Sequence, residues 1–151
     1  MIKGNEYFIK EAVKEAKKAA KKGEVPVGAV VTLDGKIVGR GHNRSISLLD
    51  PTAHAEIIAI RKASRKLSNY RLNKCKIYST VEPCAMCAGA IVWSRVSEVV
   101  FGAFDEKAGA CGSVLNVISN ENLNHRAKVT SGVLEHECRS LMQKFFNKRR
   151  K

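Results

Sequence analysis

Two short stretches decide how this chain folds: Thr52-Ala53-His54-Ala55-Glu56 and Glu82-Pro83-Cys84-Ala85-Met86-Cys87. His54, Cys84 and Cys87 provide one nitrogen and two sulfur ligands of the kind that zinc prefers, and three protein ligands leave the fourth tetrahedral position for water. Two cysteines three residues apart lie on the same side of a helical turn. If the preceding proline begins a helix, both thiols lie in its first turn, where the helix dipole favours the metal-binding thiolate. The two stretches therefore predict a zinc site.

Glu56 follows the histidine by two residues and has a different expected role. On a helix it would point about 200° away from His54, so it is poorly placed to be a fourth ligand. We expect it to approach a metal-bound water and to move its protons, which makes the site hydrolytic. His-x-Glu followed by Pro-Cys-x-x-Cys is the signature of the zinc nucleobase deaminases. The alternative is a closed structural zinc site with a fourth protein ligand. The candidates for that ligand are His42, Cys75, Cys111 and Cys138.

The composition limits the class of protein. The chain has 151 residues, of which 44% are hydrophobic and 27% charged, an ordinary balance for a single globular domain over residues 1–151. No stretch approaches the roughly 20 apolar residues needed to cross a membrane, and the first residues lack the apolar region of a secretory signal. Five cysteines, two of them assigned to metal, argue against a disulfide framework and favour the cytoplasm.

The charge balance predicts a polyanionic partner. Lysine and arginine number 27 against 14 acidic residues, for a formal net charge of +13. This is more than solubility requires, which points to nucleic acid or an acidic membrane surface. Charge alone does not distinguish the two, and phosphate contacts carry affinity rather than sequence information.

The spacing of apolar residues predicts alternating helices and strands. The expected helices cover residues 7–22, 52–66, 84–94 and 134–149, and the expected strands cover 25–31, 36–41, 76–81, 96–101 and 128–131. Asp34-Gly35 is expected to form a tight hairpin turn, and Gly102 to end the fourth strand. The strand–helix–strand unit around the cysteines implies parallel pairing through a right-handed crossover. The pattern predicts one three-layer α/β domain.

Further blocks of sequence accompany the zinc motif. They are residues 23–30, 42–43, 51–56, 70–72, 81–90, 99–103, 124–126 and 145–146. With these blocks the chain resembles the family of bacterial tRNA-specific adenosine deaminases, which convert the wobble adenosine of an arginine tRNA anticodon to inosine. The similarity runs from about residue 6 to residue 149. The zinc motif alone would mark only the wider deaminase superfamily.

The resemblance implies the cytidine-deaminase fold, an α/β/α arrangement with a five-stranded mixed sheet, in a homodimer with one zinc ion per chain. It implies that Asn43 contacts the flipped base and that Val27 lines the base pocket. Asp105 would reach the ribose of the target nucleotide. Phe146 and Arg149, on the basic C-terminal helix, would contact the anticodon loop.

A mechanism follows from this resemblance. Zinc lowers the pKa of its water, Glu56 accepts the proton, and the hydroxide attacks C6 of adenine while Glu56 delivers the proton to N1. Ammonia then leaves and inosine remains. One alternative is a deaminase of free guanine or cytosine or their nucleosides, which would not need a charge of +13. The other is a non-catalytic RNA-binding module with a structural zinc, which has no use for a free carboxylate at Glu56.

Overall fold

In the computed structural model, which describes residues 3–149, helices flank a single sheet. The helices are α1 (Asn5–Lys21), α2 (Ala55–Leu67), α3 (Ala85–Ser94) and α4 (Glu135–Arg149). The strands are β1 (Gly28–Leu33), β2 (Lys36–His42), β3 (Lys76–Val81), β4 (Glu98–Ala103) and β5 (Lys128–Thr130). Every element predicted from the sequence is therefore present, with differences at its ends.

The sheet is mixed, in the strand order β2-β1-β3-β4-β5. β1 pairs antiparallel with β2 and β3, whereas β3, β4 and β5 run parallel. Asp34 and Gly35 both have positive φ, 51° and 76°, as the two central residues of a tight hairpin turn require. Both the predicted hairpin and the predicted parallel pairing of β3 with β4 through α3 are confirmed.

Alternate side chains of the strands face two hydrophobic clusters. Val31 and Ile77 pack with the buried alanines of α2 and with α3 on one face of the sheet. Val30 and Val100 pack with Phe8 of α1 and with Cys138 of α4 on the other face. This alternation follows from the two-residue repeat of a strand. It confirms the three-layer arrangement, with α2 and α3 on one side and α1 and α4 on the other.

Two elements begin later than the sequence pattern predicts. β1 begins at Gly28 because Val27 donates its backbone N–H to the carbonyl of Val25, in a local turn outside the strand ladder. α2 begins at Ala55 because Asp50 Oδ1 accepts both the backbone N–H and the hydroxyl of Thr52, which holds that residue in a turn. These local bonds compete with regular structure and shorten both elements.

Gly102 does not end the fourth strand, contrary to the sequence-based prediction. It lies inside β4, which continues to Ala103. A Cβ atom at this position would collide with the side chain of Cys138 on α4. The glycine is therefore required for the close approach of α4 to the sheet, and it does not mark a turn. No helix within residues 3–149 has both the length and the apolar character needed to span a membrane.

Candidate active site

The three predicted metal ligands meet where α2 and α3 begin. His54 is the N-cap of α2 and Cys84 the N-cap of α3, while Cys87 is the third residue of α3. Neither N-cap side chain caps its own helix, so both are available to a metal. Because α2 and α3 lie on the same face of the sheet, the positive ends of both helix dipoles lie beside the thiols.

The start of α3 corrects one expectation. Pro83 was expected to begin the helix and to bring both cysteines into its first turn. Cys84 instead has extended backbone angles (φ −75°, ψ 177°) and forms a β-bridge with Gly109. The helix therefore begins at Ala85. The thiols still come together, because the N-cap and the third helical position lie on the same side of the first turn.

The ligand atoms have the spacing of a tetrahedral zinc site. Nδ1 of His54 lies 3.6 Å from Sγ of Cys84 and 3.5 Å from Sγ of Cys87. Zinc bonds of about 2.0–2.1 Å to nitrogen and about 2.3 Å to sulfur, at the tetrahedral angle, separate the two atoms by about 3.5–3.6 Å. The distances from His54 to both sulfurs therefore match a zinc site, and all three ligand atoms lie within 4.8 Å of one another.

In the described part of the chain, this metal group has three members, His54, Cys84 and Cys87. The candidates for a fourth protein ligand lie elsewhere. His42 Nδ1 is 3.3 Å from Glu15, and the side chains of Cys75 and Cys138 are buried in the hydrophobic clusters. Cys111 is also outside the group. Residues 3–149 thus leave the fourth position open, as in a catalytic site.

The three ligand side chains shift one another's pKa values through the hydrogen bonds between them. A hydrogen bond with the Cys87 thiol lowers the pKa of Cys84, against the effect of burial, and His54 adds to the decrease. The same bond raises the pKa of Cys87. A hydrogen bond with Cys84 raises the pKa of His54. Metal binding must displace the protons of Cys87 and His54, so zinc affinity will increase with pH.

Glu56 lies beside the ligands but outside the metal group. It is the second residue of α2 and is 3% exposed. The helical angle assumed from the sequence does not apply, because His54 precedes the helix. Oε1 of Glu56 is buried and, within residues 3–149, has no hydrogen-bond partner. Burial is the main cause that raises the pKa of Glu56 to about 7.

A cavity of about 220 Å³ opens onto Glu56 and two of the metal ligands, His54 and Cys84. Val27, which is 8% exposed, and Asn43 form part of its wall. Oδ1 of Asn43 accepts the backbone N–H of Ala55 at 2.8 Å. Because this bond uses the oxygen, the amide nitrogen is the end of Asn43 that can donate to a ligand in the cavity.

A larger cleft of about 750 Å³ adjoins this cavity, and the two share Val81, Asp105, Ala108 and Met142 as lining residues. Asp105 thus lies at the boundary, where its Oδ1 accepts the backbone N–H groups of Lys107 and Ala108, both at 3.0 Å. Phe146 lines the larger cleft and is 42% exposed.

Arg149 lines neither cavity. Its guanidinium donates to the carbonyl of Gly23, at the end of α1, and lies 4.4 Å from the centre of the Phe145 ring. The structure therefore brings Val27, Asn43 and Asp105 together with the metal group, puts Phe146 in the adjoining cleft, and leaves Arg149 apart from both.

Sequence reasoning missed two buried glutamates, Glu24 and Glu82. Glu24 accepts the backbone N–H groups of Ile46 and Ser47, at 3.1 and 2.8 Å. Glu82 accepts hydrogen bonds from the loop that carries Asp105. The available signal was an acidic residue directly next to an apolar strand pattern, since a buried carboxylate requires hydrogen-bond donors.

Comparison with known proteins agrees with this geometry. Residues 2–103 match the family described as the cytidine and deoxycytidylate deaminase zinc-binding region. The tRNA-specific adenosine deaminase of Bacillus subtilis (strain 168) is 50% identical over 147 residues, which cover 97% of this chain and 91% of that protein.

Two solved structures are also similar. One comes from a study of A-to-I editing by tRNA:A34 deaminases at the wobble position of transfer RNA; it has a TM-score of 0.87 and 41% identity, and covers 89% of this chain and 98% of its own. The other is a guanine deaminase from Bacillus subtilis, with a TM-score of 0.67 and 42% identity over 73% of this chain and 71% of its own. With its three-ligand metal group and the family match over most of its length, the chain belongs to the cytidine and deoxycytidylate deaminase family.

Proposed function

We propose that this protein deaminates the wobble adenosine of a tRNA anticodon loop to inosine. One observation carries the proposal: within residues 3–149, the buried carboxylate of Glu56 has an oxygen without a hydrogen-bond partner and lies beside a metal group with three protein ligands. The similarity of nearly the whole chain to a tRNA-specific adenosine deaminase supports this choice of substrate within the deaminase family. The net charge of +13 supports an RNA substrate independently.

His54, Cys84 and Cys87 would hold the metal. Zinc bound there supplies the Lewis acidity that lets water act as a nucleophile near neutral pH. Glu56 accepts a proton from the attacking water and delivers it to N1 of adenine as C6 is attacked. Glu56 then takes the proton of the new hydroxyl group at C6 and passes it to the amino nitrogen, so that ammonia leaves and the C6 carbonyl of inosine remains. The unpartnered Oε1 of Glu56 supports this role, since that atom is free to take the proton.

The smaller cavity would hold the base. In the proposal, Val27 packs against the adenine ring, and the amide nitrogen of Asn43 donates to it. A base in a single-stranded loop reaches such a cavity at low cost, because it is easily unstacked. Asp105, at the boundary between the two cavities, would accept a hydrogen bond from the ribose 2′-hydroxyl. Its Oδ1 already holds two backbone N–H groups, so Oδ2 is the atom assigned to the sugar.

The larger cleft would receive the neighbouring nucleotides of the anticodon loop. Phe146 offers a face for base stacking, and Lys107 and Arg139 line the same cleft with positive charge. Arg149 is proposed to attract phosphate from outside the cleft, although its guanidinium also holds α4 to the end of α1. The basic tail continues through Arg150 and Lys151, which lie outside the described residues. Arginine tRNA is the proposed acceptor on the basis of the family resemblance.

The homodimer is proposed to form through α3. This helix contains no charged residue, and Trp93 on its surface is 80% exposed. Two chains of charge +13 repel each other, so an uncharged apolar face is the part best suited to meet a second copy. Sedimentation of wild type and Trp93→Glu tests this proposal: the variant should be monomeric, and an unchanged mass would assign the dimer to another face.

We also propose that residues 1–151 act as one deaminase domain in the cytoplasm. The five described strands form one sheet, which supports a single domain. All five cysteines are free thiols, which suits a reducing compartment.

The decisive experiment incubates the zinc-loaded protein with total tRNA and sequences the product for adenosine read as guanosine. Free guanine, adenosine and cytidine are assayed alongside. Guanine is the important competitor, because a guanine deaminase is among the similar structures. We expect inosine at the wobble position of arginine tRNA and no release of ammonia from the free compounds. Turnover of guanine without tRNA editing would overturn the proposal.

A further inference from the structure

Glu82 is a buried carboxylate in the wall of the smaller cavity, close to the metal ligand Cys84. It follows β3 directly, precedes Cys84 by two residues, and is 3% exposed. Its carboxylate accepts four hydrogen bonds within the described residues, all from residues 105–113. Oε1 accepts the backbone N–H of Asp105 at 3.1 Å and the hydroxyl of Ser113, and Oε2 accepts the backbone N–H groups of Cys111 and Ser113 at 3.0 and 3.1 Å.

These bonds hold the segment 104–113, here named the rim loop, against the start of α3. The backbone adds two further links: Ala110 donates its N–H to the carbonyl of Pro83 at 2.8 Å, and Gly109 forms a β-bridge with the metal ligand Cys84. The fit is close, because a Cβ atom on Gly109 would collide with the carboxyl group of Glu82. Among these contacts, the one that reaches Asp105 itself is the hydrogen bond from its backbone N–H to Glu82.

We propose that Glu82 is a positioning residue for substrate recognition: it fixes Asp105 at the distance from the metal group that a ribonucleotide requires. The inference rests on the proposed function, in which Asp105 contacts the ribose. Glu82 does not touch the substrate in this proposal and takes no part in proton transfer. It acts by holding the backbone N–H of Asp105, so that the free oxygen of that side chain meets the 2′-hydroxyl of the target nucleotide.

The variant Glu82→Gln tests this role with little change of shape. Both partners of Oε2 are backbone N–H groups, which can only donate, so the glutamine oxygen must take this place. The glutamine NH₂ then lies at the Oε1 place, where the Ser113 hydroxyl can turn round and accept, but the N–H of Asp105 cannot. The substitution therefore removes one bond selectively, the one that holds Asp105.

Two variants serve as matched controls. Ser113→Ala removes a neighbouring hydrogen bond to Glu82 and leaves the bond to Asp105 in place. Glu24→Gln makes the same chemical change at another buried glutamate, which accepts two backbone N–H groups from residues 46 and 47 and none from the rim loop.

The experiment compares deamination of an anticodon stem-loop with adenosine or deoxyadenosine at the target position, using zinc-loaded protein. We expect Glu82→Gln to lower the ratio of kcat/KM for RNA over the deoxy substrate about tenfold, the effect of one hydrogen bond involving a charged group. Zinc content and the rate on the deoxy substrate should change far less. Both controls should retain the wild-type ratio. In combination with Asp105→Asn, the second substitution should lower the ratio little further, because both act on one contact.

Gly109→Ala provides a second, independent perturbation. It leaves every charge in place but pushes the rim loop away from Glu82, and it should lower the same ratio. An unchanged ratio of the two rates, including an equal loss of rate on both substrates, would overturn the positioning role. Loss of zinc in Glu82→Gln would also overturn it, because Glu82 would then support the metal site and not the position of Asp105 alone. Failure of the wild type to deaminate either stem-loop would refute the proposed function itself, which is a separate outcome.

Discussion

The metal group and the rim loop lie side by side but are built in different ways. His54, Cys84 and Cys87 are fixed by the first turns of two helices packed on one sheet. The rim loop, residues 104–113, has little regular structure, and its backbone is held by hydrogen bonds to the buried Glu82.

In the proposed function, this difference separates the chemistry from the recognition of substrate. Proton transfer and metal binding require atoms placed within fractions of an ångström, which rigid elements supply. Substrate recognition uses loops, whose sequences can vary without loss of the scaffold. Perturbing the metal group should therefore abolish activity on every substrate, whereas perturbing the rim should change the preference among substrates.

The largest expected effect comes from Glu56, the residue proposed to transfer protons. Glu56→Ala should keep zinc and fold but lower deamination at least about a thousandfold, within the usual range for a lost general acid–base group. Cys87→Ala should lose both zinc and activity, since two ligands do not complete the site. Zinc is measured by mass spectrometry of the purified protein, and deamination by single-turnover assay.

The zinc content of Glu56→Ala decides whether Glu56 transfers protons or binds the metal. The isosteric Glu56→Gln should behave in the same way, because it keeps the shape of the side chain and removes its basicity. Release of zinc from Glu56→Ala would make the carboxylate a ligand and would refute its role in proton transfer.

The second prediction concerns Asp105 in the rim loop. Asp105→Asn should narrow the preference for RNA over DNA by roughly ten- to a hundredfold, because a hydrogen bond to a charged group contributes about 1.5–3 kcal/mol. Asparagine keeps an oxygen for the backbone N–H groups of Lys107 and Ala108, so the turn itself should survive. The measurement is the rate ratio for stem-loops with adenosine and deoxyadenosine at the target. A ratio equal to that of the wild type would leave Asp105 as a residue that only closes its own turn.

The comparison also explains what could be predicted from the sequence. The metal ligands were identified because histidine and paired cysteines at fixed spacing have few structural uses other than metal binding. The apolar run over residues 25–31 likewise predicted a strand, which the structure places at Gly28–Leu33. Such signals are local in sequence, and they survive small errors at the ends of elements.

The rim could not be predicted from local pattern. The hydrogen bonds that Glu82 accepts from Cys111 and Ser113 join residues about 30 positions apart, and no spacing rule identifies such a pair. The role of Gly102 was wrong for the same reason, since only the approach of α4 explains it. Long-range contacts of backbone groups leave almost no trace in a single sequence.

A third prediction concerns affinity for RNA. Deleting residues 148–151 removes four basic residues, Lys148, Arg149, Arg150 and Lys151, and should weaken tRNA binding. The slope of log affinity against log salt should become shallower by up to about three, since each phosphate contact with single-stranded RNA contributes about 0.7. Binding is measured by fluorescence anisotropy at several salt concentrations.

The matched control for the tail is on α2. Replacing Arg61, Lys62, Arg65 and Lys66 with glutamine also removes four positive charges, but on the opposite side of the sheet from α4. This control should change the slope far less. Equal changes in the two proteins would mean that only net charge matters, and no change on deletion would mean that RNA binds elsewhere.

The smallest expected effect is that of substituting Glu24, which within the described residues makes no hydrogen bond to the rim loop, in contrast to Glu82. Burial opposes the ionisation of Glu24, but hydrogen bonds from the backbone of Ser47 and Ile46 outweigh it and lower the pKa of this group. A lowered folded-state pKa stabilises the protein above the unfolded value of about 4.3, and this stabilisation is lost as pH falls through the folded value. Glu24→Gln should therefore lower the free energy of unfolding by about 1–3 kcal/mol at pH 7.

The pH dependence of that difference provides the test. Urea unfolding of wild type and Glu24→Gln at pH 7 and at pH 4 and below should show the gap closing as pH falls, because the wild-type carboxylate becomes protonated and loses its advantage. Glu121→Gln, at an exposed glutamate, should change stability little at either pH, since no buried hydrogen bond is lost. A gap of constant size would mean that ionisation of Glu24 contributes nothing to folding.

If Glu24→Gln also shifted the preference for RNA over DNA, the distinction between the rim loop and the rest of the scaffold would fail, because that preference would no longer depend on the position of Asp105 alone.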